Sequence, residues 1–133
     1  MHDELTILKI LYYKMKTKEE NVIVIKSYSF AVRCVKLYKY LSEEKHNYVI
    51  GKQLLRCGTS VGANVKESIR GLSKADFRAK MSIALKEASE SEYWIELLRD
   101  TDYITNQQAE SMLADCVELL KLLTSIVKSS ANN

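Results

Sequence analysis

Apolar residues return at helical spacing along almost the whole chain. From Val22 to Lys45 the row Tyr28, Ala31, Val32, Val35 and Tyr38 recurs every few residues, widened by Phe30, Cys34, Leu37 and Leu41. Lys26, Ser29, Arg33, Lys36 and Glu43 fall on the other side, which predicts an amphipathic helix with a basic outer face. Its opening run, Val22 to Ile25, is β-branched throughout and suits extended chain as well as helix. A polar connection, Glu44 to Asn47, precedes a second helix from about Tyr48 to Arg70 with Ile50, Leu54, Cys57, Val61, Val65 and Ile69 on its apolar side. Gly71 stands where a helix C-terminus favours glycine.

Two start signals place the remaining helices. Ser73 with Asp76 three residues on resembles a capping box with the shorter acid. The third helix then runs through Phe77, Met81, Ala84, Leu85, Ala88, Ile95 and Leu98 to about Thr101. Thr105 with Gln108 repeats the pattern before a fourth helix, striped by Ala109, Met112, Leu113, Cys116, Leu120, Leu123 and Val127. Helices of this length span about 30 to 42 Å, and short links between them impose antiparallel neighbours. The expected fold is all-α, an antiparallel up-and-down four-helix bundle over residues 22–130 behind a weakly ordered N-terminal extension, residues 1–21.

Composition narrows the picture. The chain has 133 residues, enough for one core, and it carries no proline and four glycines, so long helices are uninterrupted and β-turn residues are scarce. The net charge of +3, from 20 basic and 17 acidic residues, does not by itself announce a nucleic-acid binder. Cys34, Cys57 and Cys116 are far apart and in no paired spacing, and they read as buried, reduced thiols of a cytoplasmic protein. The apolar stretch Leu5 to Tyr13 follows Asp3 and Glu4, is broken by Lys9 and is too short to span a bilayer, so no membrane partner is expected.

Candidate chemistry is thin. The histidines, His2 and His46, lie near the terminus and in a connection, poorly placed for acid–base work. Glu67, Glu87 and Glu90 lack the Glu-x-x-His pairs of a di-iron bundle, and Gly58 to Gly62 lacks the lysine of a phosphate loop. No catalytic residue, metal or cofactor is expected. The second helix is less routine: Gln53, Arg56, Ser60, Asn64 and Glu67 line one face, while Gly58 and Gly62 remove bulk at a cost of about 1 kcal/mol each in helix propensity. Close helix approach offsets that cost if the polar row bonds across the contact, with Glu87 and Glu90 as acceptors for Arg56. A subunit contact, a solvated face and a ligand site are the other readings of the row.

Gln53-Leu54-Leu55-Arg56, the run Thr59 to Val65 with Glu67, and Lys74-Ala75-Asp76-Phe77 form a distributed pattern with Ile83 to Ala88 and Glu92-Tyr93-Trp94-Ile95. It resembles the bacterial four-helix-bundle proteins first known from intervening sequences in 23S ribosomal RNA genes, and the likeness extends from about Lys26 to Lys128. Cys57 and Gly58 depart from the family pattern. The resemblance implies a homopentamer around a central channel. It also implies kinship with retroelement accessory variability determinant proteins, which are implicated in binding nucleic acid and a reverse transcriptase. As motif and assembly positions it implies Gln53, Arg56, Ser60, Asn64 and Glu67, with Asp76, Phe77, Glu87 and Trp94.

In such a ring a modest basic excess repeats into a belt able to contact several phosphates, whereas in a monomer it is an ordinary solvated face. Lys26, Arg33, Lys36 and Lys39, preceded by Lys14, Lys16 and Lys18, are one candidate nucleic-acid surface. Arg70, Lys74 and Arg78, with Lys80, are a second. The tyrosines at 28, 38, 40, 48 and 93 and Trp94 read as packing residues before stacking platforms. The sequence thus leads to a non-enzymatic homo-oligomeric scaffold that binds RNA, DNA or a nucleic-acid-processing protein. The alternative is a protein–protein assembly module with no nucleic acid.

Overall fold

A computed structural model describes Asp3, Glu4 and residues 18–131. The side chains of residues 18–20 are outside that description, as are His2, Lys14, Lys16 and most of the expected extension. Four long helices make up nearly all of it: α1 (Lys18–Glu43), α2 (Val49–Ile69), α3 (Lys74–Asp100) and α4 (Asn106–Ala131). Consecutive helices pack together and α4 returns to α1, giving an all-α up-and-down bundle. The β-branched run Val22 to Ile25 is helical, because Ile23 plugs into the core and packing overrides propensity.

The caps explain the helix boundaries. Ser73 Oγ accepts the Asp76 N–H at 3.0 Å and starts α3. At α4 the box is reciprocal: Gln108 N–H donates to Thr105 Oγ1 at 3.1 Å, and Thr105 N–H donates to Gln108 Oε1 at 2.8 Å. Asp102, at φ 67°, ends α3 in a Schellman arrangement, with Tyr103 N–H bonded to the Leu98 carbonyl at 3.0 Å and Asp102 N–H to that of Arg99 at 3.1 Å. Gly71 has no positive φ, so it does not serve as the expected left-handed cap. Its role is space, since a methyl there would lie 3.2 Å from the Ser68 carbonyl oxygen and 3.3 Å from Asp76 Cβ.

The core stripe of α1 differs from the one its sequence predicts. Ile23, Phe30, Cys34 and Leu41 point inward with Ser27, whereas Tyr28, Val32 and Val35 face out. Both rows have helical spacing, and α2 selects the inner one. A methyl on Gly62 would stand 3.2 Å from the Ser27 carbonyl oxygen, and one on Gly58 would overlap Cys34 Sγ. Small side chains on α1 and none on α2 therefore let the two helices approach closely. Ser27 tolerates burial by donating to the Val24 carbonyl at 3.2 Å.

The three cysteines are free and buried. Cys116 Sγ donates to the Ala88 carbonyl at 3.2 Å, and Ser91 Oγ lies 3.2 Å from Cys57 Sγ. Burial raises the Cys57 thiol from 9.0 to about 11 against an opposing hydrogen bond from Ser91, and burial with nearby Glu92 raises Cys116 to about 12. Cys34 is pushed higher still, chiefly by burial.

Two outcomes are expected. Gly58→Ala should lower unfolding free energy by about 1 to 3 kcal/mol through overpacking, and by clearly less in a Cys34→Ala background, as chemical denaturation of the two singles and the double would report. Because the folded thiols hold their protons more tightly than unfolded ones, the stability they contribute is full below the unfolded value of 9.0. It declines as pH rises through the folded value of about 11. Unfolding midpoints should therefore fall over that alkaline range, and less steeply in Cys57→Ala.

Candidate functional site

The basic side of α1 meets acids on α4. Lys26 Nζ lies 2.8 Å from Glu118 Oε1, and Arg33 Nη1 lies 2.6 Å from Asp115 Oδ2. Arg33 also donates to the Ser111 carbonyl at 3.1 Å and to Ser111 Oγ at 2.8 Å. Residue numbers rise along α1 as they fall along α4, so antiparallel packing creates this match. Of the four cations expected to form a belt, Lys36 and Lys39 remain exposed without an ion pair among the described residues. Lys36, but not Lys39, lines a groove of about 450 Å³ that opens between α1 and α4.

The second basic cluster sits at the corner between α2 and α3. Arg70 follows the last turn of α2, Lys74 opens α3, and Arg78 lies one turn further; all three are exposed. Lys80 leaves the cluster by pairing with Glu67 at 3.0 Å.

The polar row of α2 faces α3, not the helix its glycines approach. At about 100° per residue, Gly58 and Gly62 turn to α1 while Arg56 and Glu67 turn to α3. Arg56 bonds Glu87 Oε2 at 3.4 Å, Gln53 Oε1 at 3.4 Å and the Glu90 carboxylate. Trp94 Nε1 donates to the same Glu90 oxygen at 3.1 Å, with the Tyr93 ring edge-on at 4.9 Å between centroids. Asn64 Nδ2 donates within α2 to the Ser60 carbonyl at 2.9 Å and to Ser60 Oγ at 3.0 Å. Asp76 stands at the α3 cap, and Phe77 is buried beneath it. The arrangement brings two carboxylates to one guanidinium without a histidine, and its geometry orders the α2–α3 seam. Among the described residues no group of three or more His, Cys, Asp or Glu is placed to hold a metal ion, and no helix is long and apolar enough to cross a membrane.

The outer face of α1 is the feature that sequence reasoning missed. Ile25 is 69% exposed, Tyr28 72%, Val32 37% and Val35 38%, all opposite the core row. Their 3-4-3 spacing is a signal in the sequence, but Tyr28, Val32 and Val35 are the residues expected to face inward, and Ile25 is expected only as part of the β-branched run. Four apolar side chains share this row, whereas Tyr48 with Val49, Leu72, Ile83 and Tyr93 lie apart from it.

The fold has solved counterparts. A crystal structure of a protein of unknown function from the S23 ribosomal protein family of Bacteroides thetaiotaomicron is 54% identical, covers 83% of this chain and 98% of its own, and superposes with a TM-score of 0.81. No curated protein is significantly similar. The 23S rRNA-intervening sequence protein family matches residues 19–125, which takes in all of α2 and α3 with the motif row and its partners. This chain is a member of the 23S rRNA-intervening sequence protein family.

Proposed function

We propose that the protein is a non-catalytic scaffold that assembles with copies of itself through α1 and presents exposed cations to nucleic acid. The outward row Ile25, Tyr28, Val32 and Val35 carries the reading. Full burial of such a side chain is worth about 1.5 to 3 kcal/mol, so a partner surface that covers the row gains several kcal/mol before the costs of association. The ring of five implied by the family resemblance is one way to cover it. Lys36, Lys39 and the corner residues Arg70, Lys74 and Arg78 then recur around the assembly and supply the charge that nucleic-acid backbones require. Lys26 and Arg33 are less available for that purpose, because Glu118 and Asp115 already engage them.

That pairing favours a second reading, a protein-interaction module whose charge does not serve nucleic acid. A salt series separates the two, since backbone binding weakens steeply between low and moderate salt. For the assembly itself, light scattering should give a mass several times that of one chain, and Val32→Glu should reduce it to a single chain without loss of helical circular dichroism. A wild-type protein that is monomeric at about 100 µM would overturn the scaffold.

A further inference from the structure

The geometry points to the groove between α1 and α4 as the site for a segment of single-stranded nucleic acid, with its phosphate on Lys36 and a base against the groove floor. This rests on the nucleic-acid part of the proposed function and gives that part a location. Arg33, Lys36 and Tyr40 form the α1 wall, and Gln107, Gln108 and Ser111 form the α4 wall. No carboxylate is among the described lining residues. Its free positive charge is Lys36, which has no ion pair among the described residues, while Arg33 is held in place by Asp115 and Ser111 and balances that acid.

The amides add selectivity. Gln108 Oε1 accepts the Thr105 N–H at 2.8 Å, which leaves its NH₂ group to donate outward, and Gln107 is exposed beside it. Leu37 and Met112 line the groove with apolar surface next to the Tyr40 ring, and Lys45 Nζ stands 6.0 Å from that ring's centre. A ligand that matches has to be acceptor-rich at one edge, planar and apolar in its body, and negatively charged. A nucleotide meets all three requirements. The volume of about 450 Å³ is in the usual range for one small ligand. A double helix is too wide to enter between neighbouring helices whose axes lie about 8 to 10 Å apart.

Fluorescence anisotropy of the full chain with labelled 12-mers of oligouridine RNA, oligothymidine DNA and a blunt duplex tests the site. Wild type should bind at least one of the single strands about tenfold more tightly than the duplex, and the RNA and DNA arms identify the sugar. Lys36→Glu should weaken single-strand binding about tenfold or more, and Lys36→Gln should reduce the salt slope by about one. Gln107→Ala should weaken binding without changing that slope. Lys36 and Gln107 are exposed, so helicity should persist in each variant. Full affinity in Lys36→Glu with loss in Arg70→Glu/Arg78→Glu would move binding to the corner, overturning the groove and leaving the broader reading intact. Displacement of the oligonucleotides by polyglutamate at equal charge would assign the groove to an acidic protein. Absence of binding to every probe at low salt would overturn both the groove and the nucleic-acid reading.

Discussion

The close approach of α1 and α2 is the constraint that orients the rest of the bundle. Gly62 gives way to the Ser27 backbone and Gly58 to the Cys34 side chain, so α2 has to present its glycine flank to α1. Once that flank is committed, helical geometry turns Arg56 and Glu67 towards α3, where Glu87 and Glu90 receive the guanidinium and Lys80 the carboxylate, while Gln53 accepts from Arg56 within α2. A packing demand on one side of a helix thus decides where charge is neutralised on the other. In this chain the small residues and the polar residues of α2 serve different neighbours.

The α1–α4 side obeys a different balance. Its two ion pairs are substantially exposed, and such pairs contribute about 0.2 to 1 kcal/mol each. They align the helices more than they bind them, and the groove beside them stays open. The outer face of α1 has no such compensation. Ile25 and Tyr28 are over two-thirds exposed, a cost in water that nothing else in the described chain relieves.

Much of this fold is legible from local chemistry. Ser73 with Asp76 and Thr105 with Gln108 announce helix starts because caps depend on residues only three apart, and the inward rows of α2 and α3 are readable because each of those helices has one dominant apolar face. The row of α4 is read only in part: Leu119 and Ile126 are buried there, while Leu113, Leu120 and Val127 are half-buried, because adjacent apolar residues widen that face. The Arg56 network is legible as well, since few acids lie at the matching height on the next helix. The α1 stripe misleads because that helix is apolar on two sides, and periodicity alone does not say which side meets α2. The engagement of Lys26 by Glu118 and of Arg33 by Asp115 depends on the register of helices distant in sequence, which no local pattern encodes. His46 and Asp102 reverse the chain at positive φ without the glycine that usually marks such positions.

α1 therefore carries three separate surfaces on one rigid rod: an inward row, an outward apolar row and a flank on the groove. Val35 ends the outward row and Lys36, the next residue, lines the groove, so anything that covers the former borders the latter. A free lysine side chain loses about 1.5 to 2 kcal/mol of rotamer entropy when it is fixed. If a cover over Val35 also restricts Lys36, part of that ordering is complete before a phosphate arrives. Linkage then requires the effect to run both ways, so a strand held on Lys36 would strengthen the contact along the row by the same factor.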